Sequence, residues 1–250
     1  MTAAAIEAHG LGKDFGPVRA LDQLDLEVRE AEFFGLLGPN GAGKTTTVHL
    51  LATLLTPSRG AARVAGHDVV RESLRVRRSV GLVFQETTLD RDLTVEENLR
   101  FAARLWNLPG RVAAPRIEQL LRRFGLFERR RDPVRALSGG MRRALDIARG
   151  ILHEPRVLFL DEPTAGLDPG TRRSLWQLIL GLRQWFGVTV FLTTHYLEEA
   201  EPCDRVAVLD RGRLVALGTP AALKREAAVS SLEEVFLART GHSLAETNPG

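Results

Sequence analysis

The chain has 250 residues, of which 44% are hydrophobic and 26% charged, and its formal net charge is +3. This length and apolar content suffice for one large core or for a core with one insertion, while the small charge bias gives no indication of a nucleic-acid partner. No apolar run reaches the ~18 residues of a membrane span, the first ten residues lack the basic and apolar regions of a secretory signal, and the single cysteine, Cys203, fits a reducing compartment.

Strand and helix patterns alternate along the first third of the chain, which predicts an α/β architecture. Residues 25–29 alternate apolar and charged side chains, and the apolar run 33–37 predicts a central strand leading into a glycine-rich turn. A helix is expected next, because four apolar residues recur at helical spacing before Pro57. These residues are Val48, Leu51, Ala52 and Leu55.

The middle of the chain is predicted to be mostly helical. A short strand at 80–84 is followed by Thr94 and Glu97, a capping box that predicts a helix to about Asn107. A second helix is expected at about 114–124. Ser138 is expected to cap the N-terminus of a third helix, whose apolar face comprises Met141, Leu145, Ala148 and Leu152. We interpret residues 86–150 as an insertion in a core formed by residues 1–85 and 151–220.

The core resumes with apolar strands at 157–160 and 188–192, separated by a helix that Asp168 and Pro169 begin. Strands at 206–209 and 214–217 complete it. Ser231 and Glu234 form another capping box, which predicts a C-terminal helix at about 230–240. The residues after it, 241–250, are predicted to be a disordered tail.

Residues 38–45 read Gly-Pro-Asn-Gly-Ala-Gly-Lys-Thr, and they match the phosphate-binding pattern G-x-x-x-x-G-K-[ST] between a predicted strand and a predicted helix. Such a loop curls its backbone N–H groups around phosphate oxygens at the positive end of a helix. Lys44 would reach the β and γ phosphates, and the Thr45 hydroxyl suits Mg²⁺. The predicted nucleotide contacts are Gly38, Pro39, Asn40, Gly41, Ala42, Gly43, Lys44, Thr45 and Thr46.

Two adjacent carboxylates end the apolar strand at 157–160. Because ligands of open α/β sheets bind at the carboxyl ends of the strands, Asp161 and Glu162 are expected beside the phosphate loop. Asp161 is a candidate Mg²⁺ ligand. Glu162 is a candidate general base that polarises the attacking water.

The segment Leu137-Ser138-Gly139-Gly140-Met141 matches the signature of ABC transporter nucleotide-binding subunits, and the chain resembles that family from about Ile6 to Leu237. The resemblance implies a P-loop NTPase (RecA-like) core with an antiparallel β subdomain and an inserted α-helical subdomain, together one ABC ATPase domain over residues 1–240. It implies ATP and Mg²⁺ as cofactors. It also implies that Ser138, Gly139 and Gly140 contact the ATP of a partner subunit.

Four further residues match family positions. Gln85 resembles the glutamine that contacts Mg²⁺ and hinges the insertion, and Asp168 resembles the D-loop aspartate that links two active sites. His195 resembles the switch histidine on the γ phosphate, and Phe15 resembles the aromatic platform under adenine. The chain departs from the family pattern at Met141, where glutamine is usual, and at Phe15, where tyrosine is.

Other functions are less well supported. A guanine-reading Asn-Lys-x-Asp motif is absent, because no asparagine precedes any of the three lysines, which disfavours a GTPase. A nucleotide-gated module without turnover is disfavoured by the presence of both Glu162 and His195. Residues 138–150 and 231–237 resemble the drug-exporter branch, including daunorubicin-resistance-type ATPases. The ATPase of a nutrient importer or a lipid-extrusion system remains an alternative.

The resemblance also implies partners and a location. The chain is expected to act with a separate permease and with a second ATPase subunit, identical or closely related, as a peripheral protein at the cytoplasmic face of the cell membrane. No nucleic acid is expected. The arginine clusters at 122–123, 129–131 and 142–143 could contact anionic lipid headgroups or a permease, but most of these arginines are predicted to lie on solvated helix faces.

Overall fold

A computed structural model describes residues 4–242 of the chain. Within that range the structure has ten strands. They are β1 (Ala4–Phe15), β2 (Val18–Arg29), β3 (Phe33–Leu37), β4 (Arg59–Val64), β5 (His67–Asp68), β6 (Val80–Val83), β7 (Val157–Asp161), β8 (Thr189–Thr194), β9 (Arg205–Asp210) and β10 (Arg213–Gly218).

The same part of the chain forms nine α-helices. They are α1 (Lys44–Leu51), α2 (Ser73–Ser79), α3 (Val95–Leu105), α4 (Gly110–Arg123), α5 (Gly139–Ile151), α6 (Pro169–Phe186), α7 (Leu197–Ala200), α8 (Pro220–Glu226) and α9 (Leu232–Thr240). None of these helices is both long enough and apolar enough to cross a membrane.

The strands form two sheets. One is antiparallel with the order β2-β1-β4-β5, and the other has six strands in the order β10-β9-β3-β8-β7-β6. All pairs in the larger sheet are parallel except β10 with β9. The carboxyl ends of β3, β6, β7 and β8 therefore meet at one edge, as expected from the sequence.

Alternate residues of the central strands face two separate cores, as the period of a strand requires. Phe34 and Phe159 pack towards the antiparallel sheet and α1. Leu158 and Leu192 pack towards α3 to α6 on the opposite face. The larger sheet is thus covered on both faces, which explains why its strands are continuous apolar runs rather than alternating ones.

Several predicted elements are confirmed. The capping boxes of α3 and α9 both form with their reciprocal hydrogen bonds, and Ser138 caps α5 as expected. The helix after the phosphate loop is shorter than predicted: it ends at Leu51, and Thr53 adopts a left-handed conformation with φ of 64° that turns the chain away before Leu55. Helix α4 begins earlier than predicted, at Gly110.

The predicted disorder of residues 241–250 falls mostly outside the described residues. His242, the last described residue, places its Nε2 atom 3.3 Å from Asp210 Oδ2. The division into a core and an insertion remains a prediction, while the three helices α3, α4 and α5 do occupy the stretch between β6 and β7.

Candidate active site

The phosphate loop, residues 38–43, joins β3 to α1 and is packed tightly against neighbouring backbone. Gly43 has a φ of 103°, and a Cβ atom there would lie 2.6 Å from the Ala20 carbonyl oxygen. A Cβ atom on Gly38 would lie 2.3 Å from the carbonyl oxygen of Leu209. Both positions therefore require glycine, one for its conformation and both for space.

Lys44, the first residue of α1, is buried inside this loop. Its Nζ donates to the carbonyl oxygens of Gly38 and Pro39 at 2.8 and 3.0 Å. The same ammonium forms an ion pair of 3.1 Å with Glu162 Oε1. The loop thus fixes a positive charge at the position where the motif predicts that phosphate binds.

Glu162 lies between two basic side chains. Its second oxygen, Oε2, is 3.1 Å from His195 Nδ1, which follows the end of β8. Burial alone would raise the pKa of Glu162, but the hydrogen bond with His195 and the charge of Lys44 outweigh it, so the pKa lies below the ordinary value. The carboxylate is therefore ionised at neutral pH, as a general base must be.

The backbone of Glu162 is held in a rare conformation, with φ of 45°. Such left-handed geometry costs about 1–3 kcal/mol and persists only where the surroundings enforce it. Thr193 supplies that constraint, because its Oγ1 accepts from Glu162 N at 3.0 Å and donates to Asp161 Oδ1 at 2.5 Å. One threonine on β8 therefore holds the carboxylate of Asp161 and the backbone of Glu162.

A cavity of about 460 Å³ opens between the loop and these strand ends. Its lining residues are Ala20, Asn40, Gly41, Gly43, Lys44, Thr45, Thr46, Gln85 and Glu162. Except for Ala20, all of them were predicted from the sequence. The volume falls in the range of small-ligand sites, and the hydroxyl, amide and carboxylate groups of Thr45, Gln85 and Asp161 are the hard oxygen donors that suit Mg²⁺.

The remaining predicted nucleotide contacts lie outside that lining. Gly38, Pro39 and Ala42 belong to the loop but do not line the cavity. The carbonyl oxygens of Gly38 and Pro39 instead accept hydrogen bonds from Lys44. Phe15 ends β1 with 46% of its surface exposed, and Lys13 Nζ lies 5.2 Å from its ring centroid. Its role as an adenine platform stays a prediction.

The signature segment lines a different cavity. Ser138 accepts a hydrogen bond from Met141 N at 3.2 Å and so caps α5. Ser138, Gly140 and Asp168 share a cavity of about 510 Å³, and no residue that lines it also lines the first one. Asp168 caps α6 through Gly170 N and Thr171 N. The three residues are thus assembled, but away from the phosphate loop of their own chain.

Three residues of the site were missed by the sequence reading. Ala20 and Thr193 carry no motif and act through their position next to the loop and to β7. Arg143 belongs to a cluster that was predicted to be mainly solvated, and for this residue the prediction was wrong, because only 4% of it is exposed. Arg143 precedes Ile147 by four positions and Ile151 by eight, and both isoleucines are buried. This helical spacing was the signal in the sequence that Arg143 lies on the buried face of α5.

Taken together, a phosphate loop between a strand and a helix, a buried lysine and an ionised glutamate at the next strand end define a P-loop nucleoside triphosphatase. The comparisons with known proteins specify which one. The model of the ABC transporter family matches residues 21–165. The chain therefore belongs to the ABC transporter ATP-binding family, and it is an ATPase that drives transport.

Relatives of known name agree with this assignment. The daunorubicin resistance ATP-binding protein DrrA3 of Streptomyces coeruleorubidus is 48% identical over 237 residues, which are 94% of this chain and 75% of the relative. The daunorubicin/doxorubicin resistance ATP-binding protein DrrA of Streptomyces peucetius is 48% identical over 221 residues, 88% of this chain and 67% of that protein.

The fold has close structural neighbours as well. A solved ATP-binding subunit of an ABC transporter superposes with a TM-score of 0.83 at 31% identity, and the match covers 94% of this chain and 99% of that one. The expected fold class, a P-loop core with an antiparallel β subdomain, is confirmed.

The lowered pKa of Glu162 predicts a pH effect on stability. Its folded value lies below 4.5, so the carboxylate contributes stability above that pH, and the contribution is lost as the pH falls through the folded value. We expect the difference in free energy of unfolding between wild type and Glu162→Gln to shrink as the pH is lowered from neutral into the acid range. Urea denaturation at each pH measures these free energies of unfolding, and the exposed Glu198→Gln is the control for loss of a surface carboxylate. A difference that stays constant or grows as the pH falls would contradict the lowered pKa of Glu162.

Proposed function

We propose that the chain powers export of a drug-like or other amphipathic compound through a separate permease, as a peripheral subunit at the cytoplasmic face of the membrane. The observation that carries this proposal is the 48% identity, over 94% of the chain, to an ATP-binding protein named for daunorubicin resistance. The transported compound would contact the permease rather than this chain.

Hydrolysis would proceed in the cavity beside the phosphate loop. Lys44 would exchange its carbonyl partners for the β and γ phosphates, and Glu162 would take a proton from the attacking water while His195 contacts the γ phosphate. Thr45, Gln85 and Asp161 are the residues that would hold Mg²⁺, which neutralises charge on the phosphates when bound. Phe15 would stack on adenine, since every base offers a π face.

Two such chains, identical or closely related, would share each ATP. Ser138, Gly139 and Gly140 stand at the N-terminus of α5, where a hydroxyl and free N–H groups favour an anion. Ser138 and Gly140 line a cavity that shares no lining residue with the one beside their own phosphate loop. A two-fold axis that brings this cavity to the loop of the other chain would complete both sites at once, with Asp168 at the contact.

A groove between the core and the helices α3 and α5 is the proposed contact with the permease. It has a volume of about 290 Å³ and carries three exposed apolar side chains, Leu54, Phe101 and Leu105, with exposures of 48%, 55% and 68%. Arg77 and Arg149 also line it. Its occupant would be an amphipathic cytoplasmic helix of the permease with acidic residues facing these arginines.

Transport by inside-out membrane vesicles tests both proposals. Vesicles that contain the chain and the membrane protein encoded beside it are expected to accumulate daunorubicin when ATP is added. The double variant Phe101→Glu and Leu105→Glu should lower uptake by at least ~10-fold, because two charges enter an apolar contact. ATP hydrolysis by the purified variant should stay within about two-fold of wild type, since neither residue contacts the site.

Val70→Glu is the matched control, because Val70 is exposed to a similar extent, 53%, and does not line the groove. It should leave uptake unchanged. Vesicles that hydrolyse ATP but accumulate no daunorubicin or other amphipathic drug would overturn the export proposal. Uptake that survives the double variant would overturn the groove assignment alone.

A further inference from the structure

Arg143 is a buried arginine whose guanidinium donates hydrogen bonds to four backbone carbonyl oxygens at and just after the active-site strand ends. Its Nε donates to Pro163 O at 2.6 Å, and one terminal nitrogen donates to Asp161 O and Glu162 O at 3.2 and 3.1 Å. The other terminal nitrogen donates to Phe84 O. A single side chain on α5 thus joins the end of β6 to the end of β7.

The four carbonyls flank predicted catalytic positions. Phe84 immediately precedes Gln85, and Asp161 and Glu162 are themselves the predicted metal ligand and base. Glu162 lies in a strained conformation with φ of 45°, so its placement depends on its neighbours. Arginine is suited to this role because its planar fork presents five donors in a fixed geometry, whereas lysine offers a flexible point charge.

A second contact from the same helix holds the other side of Gln85. Arg149 donates to Thr88 O at 2.8 Å and contacts its hydroxyl as well. Asp146, which is 1% exposed, lies between the two arginines, with one oxygen 2.7 Å from Arg149 and the other 3.9 Å from Arg143. Helix α5 therefore forms hydrogen bonds with the chain on both sides of Gln85, through Arg143 to Phe84 and through Arg149 to Thr88.

Burial alone does not explain an arginine at this position. A buried arginine costs a large desolvation free energy unless its donors are satisfied, and a methionine of similar length would fill the same space without that cost. Lys44 and the phosphate loop make no contact with Arg143 that would give it a part in nucleotide binding. What its hydrogen bonds do is fix the strand ends that carry Gln85 and Glu162.

We propose that Arg143 is a positioning residue for ATP hydrolysis, which sets the distance between Gln85 and Glu162 by clamping the carbonyls of Phe84, Asp161, Glu162 and Pro163. The inference rests on the proposed roles of Gln85 and Glu162. It predicts a loss confined to the chemical step, since a displacement of about 1 Å at a reacting group lowers a rate by about 100-fold.

The test compares Arg143→Met and Arg143→Lys in the full chain. For Arg143→Met, kcat should fall by about 100-fold, while the Kd of a fluorescent ribose-labelled ATP should change by less than about three-fold because Lys44 is untouched. Arg143→Lys should recover part of the loss and remain about 10-fold below wild type, since one ammonium satisfies fewer carbonyls. Amide hydrogen exchange should rise at residues 84–88 and 161–164 in the methionine variant.

Leu145→Ala is the control for destabilisation, because Leu145 is fully buried on the same helix and contacts neither strand end through hydrogen bonds. It should lower Tm at least as much as Arg143→Met and keep kcat near wild type. Equal kcat losses in both variants, or a loss of nucleotide affinity that matches the loss of kcat, would overturn the inference. Glu162→Gln separates the two ideas: if it is inactive while Arg143→Met keeps full turnover, the positioning role alone is wrong.

Discussion

Replacement of Glu162 by glutamine is expected to lower kcat for ATP hydrolysis by about 1,000-fold, the middle of the range for loss of a general base. Glutamine keeps the size and the hydrogen-bonding oxygen that His195 contacts at 3.1 Å, but it cannot accept a proton from water. ATP affinity should change by no more than a few-fold, because Lys44 and the loop glycines remain.

The same variant should accumulate a nucleotide-bridged dimer. In the proposed dimer, cleavage of the γ phosphate removes the ligand that the two chains share, so the closed dimer of the wild type is expected to be transient. In Glu162→Gln that step is missing, and light scattering after size-exclusion chromatography with Mg-ATP should show twice the mass of the nucleotide-free protein. Hydrolysis is measured as phosphate release.

Glu198→Gln is the matched control, since Glu198 is exposed and lies three residues beyond His195. It removes an equal charge near the site without entering the cavity, and it should hydrolyse ATP at the wild-type rate. Steady-state turnover by Glu162→Gln at a tenth of the wild-type rate or more would assign the base to another group. His195 would then be the first residue to examine.

The parts of the site that could be predicted are those in which chemistry and sequence proximity coincide. Residues 38–46 lie in one loop and one helical turn, so the spacing of glycines and lysine specifies their geometry without reference to the rest of the chain. Glu162 lines the cavity beside the loop, as expected from the common edge at which parallel strands end. The capping boxes of α3 and α9 were found for the same reason, since each involves residues three apart.

The parts that could not be predicted depend on distant partners. Strand β1 was not foreseen from its own residues, because Gly10 and Gly12 interrupt its alternation; it is stabilised by pairing with both β2 and β4. Thr193 forms hydrogen bonds with Glu162 and Asp161, which precede it in the sequence by 31 and 32 residues. Nothing local to a threonine in an apolar strand distinguishes this role from ordinary packing.

Arg143 shows how a local pattern can mislead. Two adjacent arginines on a helix usually indicate a solvated face, and Arg142 partly follows that rule. Arg143 follows Arg142 by one position and therefore lies on the helix face that carries Ile147. It is buried because four carbonyl oxygens at and just after the ends of β6 and β7 accept its hydrogen bonds. Those acceptors are 18 to 59 residues away, so only the assembled fold reveals them.

The proposed shared-ATP arrangement makes Ser138 the position at which a single charge should have the largest effect on dimer formation. In the Glu162→Gln background, Ser138→Asp is expected to abolish the ATP-dependent dimer, with an association constant at least ~100-fold lower, because juxtaposed like charges cost several kcal/mol. Aspartate is as good a helix cap as serine, so α5 should remain intact. The negative carboxylate would face the γ phosphate of the other chain's ATP.

Ser138→Ala separates this electrostatic effect from loss of the cap. Alanine cannot accept the hydrogen bond from Met141 N, which is 3.2 Å in length, and that loss costs about 1 kcal/mol. The dimer should therefore weaken by no more than about five-fold and still form. Monomer binding of a fluorescent ATP analogue should be unchanged in both variants, because Ser138 does not line its own chain's nucleotide cavity. If Ser138→Asp dimerised as well as its parent, the signature loop would not contact the shared phosphate, and the two chains would have to be joined through another surface.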